Sequence, residues 1–111
     1  MIVNRPSIII YVKEPDPVVL REICAGIEEE SIFYEVKERE ERDLSQLAWW
    51  AAEDSMLGSG IGICGSSAAL QMRGLACGQN LSSYVQPSPQ ECRMMGANSA
   101  RLIKKQALKG I

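Results

Sequence analysis

Apolar and polar positions alternate along the chain as they do when strands are separated by helices. Residues 7–12 are apolar and mostly β-branched, which predicts a buried strand. Four more apolar runs predict further strands at residues 32–36, 61–64, 68–72 and 81–86. Only residues 65–67 separate the third strand from the fourth, too few for a parallel crossover, so these two are expected to form an antiparallel hairpin.

Helix-start signals lie in two of the gaps between these runs. Asp16 is predicted to cap a first helix with Pro17 in its first turn. Its expected buried face consists of Val19, Leu20, Ile23, Cys24 and Ile27. The charged residues 37–43 are assigned to a solvated loop or helix start. Asp43 and Gln46 then predict a capping box for a second helix, which Gly58 and Gly60 would end.

The third helix has the best-defined start. Ser88 and Glu91 form a predicted capping box, and Pro89 fits the first helical position. One stripe at helical spacing then holds Cys92, Met95, Gly96, Ser99, Leu102 and Ile103. Because Gly96 costs helical stability, the small middle of the stripe indicates close packing, expected to be against the sheet. The elements predict an α/β domain with a mixed five-stranded sheet and helices on both faces.

Composition narrows the functional classes. With 111 residues there is room for one core, so residues 1–111 are interpreted as a single domain. A net charge of −2 and a pI near 5.2 argue against nucleic acid as a partner. The N-terminal apolar run is too short to span a membrane and has no signal-peptide cleavage pattern, so a cytoplasmic location is expected.

Catalytic motifs are weak. There is no histidine, and the four cysteines form no Cys-x-x-Cys pair, so reduced structural thiols are expected and catalysis by this chain alone is not. Residues 60–65 match the letters of a dinucleotide-binding loop, G-x-G-x-x-G, but the glycines fall on a predicted strand and no carboxylate follows near Val85. A close-packed strand is the preferred interpretation.

Two clusters remain as candidates for binding. Glu28, Glu29 and Glu30 crowd the negative end of the first helix, where carboxylates are unfavourable without a cation. The residues alone favour three solvated side chains. Trp49 and Trp50 are adjacent, so one is expected in the core and the other at a surface that could be an interface. Basic residues near the end of the chain are interpreted as surface charges: Arg101, Lys104 and Lys105.

Four segments together resemble the small subunit of glycerol and diol dehydratase reactivating factors. They are MGANSARLIK at 95–104, EICAGIEE at 22–29, GIGI at 60–63 and SSAALQM at 66–72. They keep the order and spacing of that family, whereas residues 37–57 do not match it. The resemblance implies a three-layer α/β/α fold with one antiparallel strand, related to Rossmann-like and anticodon-binding domains.

The resemblance also implies a role. Such a subunit is non-catalytic and belongs to an ATP-dependent, chaperone-like factor that releases damaged cobalamin from the dehydratase by subunit exchange. Its partners would be a large ATPase subunit and, during exchange, dehydratase subunits. Glu29 would supply one ligand to Mg²⁺ or Ca²⁺ shared with the large subunit, or Glu28 or Glu30 if the register slips by one. The expected interface is Glu28, Glu29, Glu30 and Trp50, with no cofactor held tightly by this chain.

Two other functions stay open. The chain could be the medium subunit of a cobalamin-dependent diol or glycerol dehydratase, although its length argues against this because that subunit carries extra N-terminal sequence. A free-standing small-ligand binder at the strand ends is the third. The sequence leaves undecided the choice between glycerol and propanediol, self-association, and association with a bacterial microcompartment.

Overall fold

Five strands and three helices alternate along residues 5–104, the part of the chain that this computed structural model describes. In chain order they are β1 (Ile8–Lys13), α1 (Pro17–Glu29), β2 (Tyr34–Glu38), α2 (Leu44–Asp54), β3 (Ser59–Cys64), β4 (Ser67–Met72), β5 (Ser82–Val85) and α3 (Pro89–Lys104). Within this range no helix combines the length and the apolar character that crossing a membrane requires.

All five strands join in one sheet, in the order β2-β1-β3-β4-β5. β1 is parallel to both of its neighbours, with Ile10 beside Val36 on β2 and Ile61 on β3. β4 is antiparallel to β3 and to β5. β4 alone therefore runs against the other four strands, and the predicted mixed sheet with its hairpin is confirmed.

Helices cover both faces of the sheet, which confirms the three-layer architecture. α1 and α3 lie on one face over a large core that includes Ile8, Ile10, Ile23, Ile27, Ile61, Ile63, Leu70 and Met95. α2 lies on the other face over a small core of Ile9, Tyr11, Leu47 and Ala51. The alternating side chains of β1 thus contribute to both cores, as expected for a central strand.

The helix starts follow the predicted capping chemistry, with one exception. Asp16 accepts from the amide of Val18 at 2.8 Å, and Ser88 and Glu91 exchange hydrogen bonds of 2.9 and 3.1 Å. Asp43 also caps its helix. Its own amide, however, donates at 3.0 Å to Glu41, so the predicted reciprocal bond from Gln46 is wrong. A carboxylate two residues upstream reaches that amide through a local turn.

Most strand boundaries differ from the prediction by one or two residues, and two of the differences change an assignment. β2 begins at Tyr34 and continues through Lys37 and Glu38, which were expected in a solvated loop. As an edge strand with exposed side chains, β2 needs only backbone pairing with β1, so charged residues are tolerated. α2 ends at Asp54 with an extended Ser55 as its cap, whereas Gly60 lies within β3 and ends no helix.

Glycines mark the places where backbones meet. A Cβ on Gly62 would lie 2.6 Å from the Ala48 nitrogen, and one on Gly60 would be still closer to the backbone of α2. The close-packed-strand interpretation of residues 60–65 is therefore confirmed. On the other face, a Cβ on Gly96 would collide with the carbonyl oxygen of Ile23, and one on Gly26 with that of Arg93. Gly96 thus packs against α1, whereas the sequence analysis expected it to pack against the sheet.

Candidate functional site

The acidic triplet lies at the C-terminal end of α1, and each carboxylate has a partner within the chain. Glu28 accepts from the Tyr34 hydroxyl at 2.7 Å. Glu29 lies 3.5 Å from Arg93 Nη1. Glu30 lies 3.2 Å from Arg101 Nη2 and also bonds Lys104, which donates to the Glu30 backbone carbonyl as well.

These contacts correct the residue-only interpretation of three solvated carboxylates for Glu30, whereas Glu28 and Glu29 are exposed as that interpretation expects. The Glu30 side chain is only 10% exposed and is held by two cations of α3. Arg101 and Lys104 are accordingly ion-pairing residues rather than plain surface charges, while Lys105 lies outside the described residues. Their positive charge offsets the negative end of the α1 dipole, which removes the electrostatic anomaly seen in the sequence.

Glu29 is more exposed than Glu30 and lies farther from its ionic partner. Its side chain is 49% exposed, and its ion pair with Arg93 spans 3.5 Å. That distance is longer than a typical charge-assisted hydrogen bond. Glutamate oxygen is a suitable ligand for Mg²⁺ or Ca²⁺. Within residues 5–104 no three histidine, cysteine, aspartate or glutamate side chains gather into a group that could hold a metal ion.

Beside Glu29 lies an open cleft of about 570 Å³ between α1 and the start of α3. This Glu29 cleft is lined by Glu22, Glu29, Pro89, Gln90, Arg93 and Met94. Arg93 joins its two sides, because Nη2 lies 2.7 Å from Glu22 while Nη1 faces Glu29. Glu22 is only 15% exposed, so it anchors the arginine more firmly than Glu29 does.

Titration of the neighbouring groups leaves no activated nucleophile here. Burial raises the pKa of the Cys24 thiol, and burial with nearby carboxylates raises that of Cys92 to about 11. The hydrogen bond to Glu28 raises the pKa of Tyr34, so its hydroxyl stays a donor. All four cysteines are free thiols, as predicted. Such groups suit packing and binding better than bond-breaking chemistry.

Trp50 lies on α2, on the opposite face of the sheet from the acidic triplet. It packs against the small core, and the Arg39 guanidinium stacks between the rings of Tyr11 and Trp50 at 4.5 and 4.7 Å. Trp49 borders a separate cleft beside residues 73–77. Both tryptophans are half-buried, so neither is fully in the core or fully at the surface. The expected division holds in part, because Trp50 packs against the small core while Trp49 borders a surface cleft.

Sequence reasoning missed Arg93 and Tyr34, which organise this site, and Gly26, which lets α3 approach. Basic residues recur along α3 much as acidic residues recur along α1, and that is the one signal available. It gains meaning only when the two helices are known to be neighbours.

Comparisons with known proteins agree over nearly the whole chain. The family model for the dehydratase medium subunit matches residues 5–109. A solved structure of a diol dehydratase-reactivating factor, complexed with ADP and Mg²⁺, has a chain with 28% identity and a TM-score of 0.88, covering 96% of this chain and 99% of that one. A solved glycerol dehydratase reactivase shares the fold at 24% identity and a TM-score of 0.89, covering 95% and 97%. Among curated proteins no significant match was found.

Proposed function

Because the chain belongs to the dehydratase medium subunit family, we propose that it is the small subunit of a dehydratase reactivating factor. The observation that carries this proposal is the overlap with a chain of the diol dehydratase-reactivating factor, which extends over almost the full length of both chains. A match of that extent leaves neither chain with a substantial unmatched part that would indicate a different role.

In this role the chain binds and does not catalyse. A large subunit hydrolyses ATP, the small subunit exchanges with a dehydratase subunit, and damaged cobalamin leaves the opened enzyme. The composition supports the division of labour, since the chain has no histidine and the thiols of Cys24 and Cys92 have raised pKa values. In this role the chain contributes a binding surface, the charged seam between α1 and α3, where Glu22, Glu29 and Glu30 pair with basic residues of α3.

We further propose that Glu29 contributes one oxygen ligand to a Mg²⁺ or Ca²⁺ ion held mainly by the large subunit. Its exposure and its long contact with Arg93 support this choice of register. Glu30 is buried under two cations, and Glu28 accepts the Tyr34 hydroxyl. The related reactivating factor was solved with Mg²⁺.

Reconstitution tests the main proposal. The chain should co-purify with its cognate large subunit, and the pair should restore activity to inactivated dehydratase when ATP and intact cobalamin are added. The chain alone should show no ATPase or dehydratase turnover. Turnover by the isolated chain that a point substitution within it abolishes would contradict a purely binding role.

The alternative is that the chain is a medium subunit of the dehydratase itself. The matching family model, which describes that subunit, is the observation that supports this alternative. In that case the chain should assemble with the other dehydratase subunits into an enzyme that turns over substrate with cobalamin. Stable binding to the ATPase subunit and no lyase activity in the mixed dehydratase would eliminate it.

Calorimetry tests the metal ligand. Glu29→Gln should weaken binding to the large subunit in Mg²⁺, and chelation should remove the difference from wild type, because only the ion-bridged part of the interface needs that charge. Glu28→Gln is the matched control on the same helix end. Equal Mg²⁺-dependent affinity for wild type and Glu29→Gln would exclude Glu29 as a ligand.

A further inference from the structure

Arg93 contacts two carboxylates of α1 unequally. Its Nη2 is 2.7 Å from Glu22, and its Nη1 is 3.5 Å from Glu29. We propose that Arg93 holds Glu29 in the free subunit and releases it, on assembly, to a cationic group of the large subunit, while remaining bound to Glu22. This inference rests on the proposed function, because it takes the large subunit as the partner.

Because the two contacts are unequal, breaking the one between Arg93 and Glu29 costs little free energy. The Glu22 side chain is 15% exposed and the Glu29 side chain 49%, so water screens the second ion pair far more than the first. Exposed pairs are weak, and losing one changes an equilibrium by at most about fivefold. After the contact with Glu29 is broken, Arg93 keeps its shorter ion pair with Glu22, so the guanidinium charge remains paired. A subunit that must bind and leave repeatedly benefits from a contact of this kind.

The surroundings of Glu29 favour a positively charged occupant. The carboxylate borders the Glu29 cleft, which offers about 570 Å³ of open space at the surface. It also lies in the last turn of α1, where the helix dipole attracts cations. Pro89 and Met94 contribute apolar atoms to the wall of the cleft. The cation could be a divalent ion or a basic side chain of the large subunit, and the two share the same attraction to Glu29.

Two substitutions of Arg93 test the transfer by calorimetry against the cognate large subunit. Arg93→Gln removes the charge that competes for Glu29. Arg93→Lys keeps a charge for Glu22 but lacks the fork that reaches both carboxylates. Both should bind the large subunit about twofold to fivefold more tightly than wild type. Arg21→Gln is the matched control, because Arg21 also pairs with Glu22, at 3.6 Å, whereas Glu29 pairs with Arg93. The affinity of Arg21→Gln for the large subunit should not change.

A double variant and chelation complete the test. In a Glu29→Gln background, Arg93→Gln should give no gain, because there is no carboxylate left to release. A gain that requires Mg²⁺ identifies the cation as a divalent ion, and a gain that survives chelation identifies a basic side chain. Melting curves of each variant establish that the fold is intact.

Several outcomes would overturn the inference. Unchanged or weaker binding by both Arg93 variants would show that Arg93 does not compete, and a gain retained in the Glu29→Gln background would show that it acts elsewhere. If wild type and Glu29→Gln behave as proposed but the Arg93 variants show no gain, only this inference fails. If wild type does not bind the large subunit at all, the proposed function fails and the inference fails with it.

Discussion

On one face of the sheet α1 and α3 lie over large aliphatic side chains of β1 and β3. On the other face, α2 is the one helix among residues 5–104, and it lies directly against the glycines of β3. Both faces use paired glycines for close approach. Gly26 and Gly96 bring a helix to a helix, while Gly60 and Gly62 bring a helix to a strand. Glycine therefore permits close packing between two helices on one face and between a helix and a strand on the other.

This difference accounts for the position of the candidate site. Two helices in close contact create a seam along which side chains of one can pair with those of the other, and the ion pairs of Glu22, Glu29 and Glu30 all lie on that seam. In the described part of the chain α2 has no helix beside it, and it carries two half-buried tryptophans, Trp49 and Trp50.

The largest expected difference between the faces is in thiol reactivity. Cys92 lies in the core beneath the helix pair with a pKa of about 11, whereas Cys77 is exposed in the loop beside α2. In a solution near pH 8, the raised pKa lowers the thiolate fraction of Cys92 about a hundredfold relative to a cysteine with an ordinary pKa. Burial slows the alkylation of Cys92 further, because the reagent cannot reach its sulfur. Mass spectrometry after timed alkylation should show Cys77 modified first. Comparable rates at both residues would mean that α3 does not cover its core as described.

Overpacking the helix pair should have the next largest effect. Gly96→Leu places side-chain atoms against the backbone of α1, which should lower the free energy of unfolding by about 1–3 kcal/mol. Thermal melting would detect it, at roughly 4–8 °C per kcal/mol for a domain near this size. Gln90→Leu, on the exposed side of the same helix, is the control and should melt near wild type. An unchanged melting temperature for Gly96→Leu would show that α3 does not pack against α1 at residue 96 as closely as described.

A matched pair of alanine substitutions probes the other face. Gly60→Ala should destabilise the protein more than Gly62→Ala, because the new Cβ at residue 60 approaches two backbone atoms of α2 more closely than any approach at residue 62. We expect about 1–2 kcal/mol for the first and less for the second, within the usual cost of overpacking. Chemical denaturation would rank them. The reverse order would show that α2 is positioned by its side chains and not by these backbone contacts.

The smallest effects should come from the charges on the seam. Glu30→Gln breaks pairs with Arg101 and Lys104 in a setting that is only 10% exposed, so a loss of about 1 kcal/mol is expected. Glu29→Gln should change stability by less than about 0.5 kcal/mol, because its carboxylate is half exposed and its loss relieves the helix dipole. Melting of the two variants side by side would sharpen the assignment of Glu29 to binding and Glu30 to structure. Equal losses would remove that distinction.

Much of the fold follows from local patterns. Apolar, β-branched runs identified the strands, and the caps at Asp16 and Ser88 were predicted correctly because capping depends on residues only two or three positions apart. The hairpin between β3 and β4 followed from the length of its turn alone. β2 was misplaced because an edge strand with exposed side chains carries little apolar signal.

The candidate site divides in the same way. The sequence by itself determined that three carboxylates would end α1, and the family resemblance selected Glu29 among them. Only the tertiary structure decided that Arg93, 71 positions away from Glu22, would lie between two of α1's carboxylates, and that Gly96 would meet α1 instead of the sheet. Such contacts depend on which two helices share a face of the sheet. That choice is made by the summed burial of both helices, and no short segment of the chain contains it.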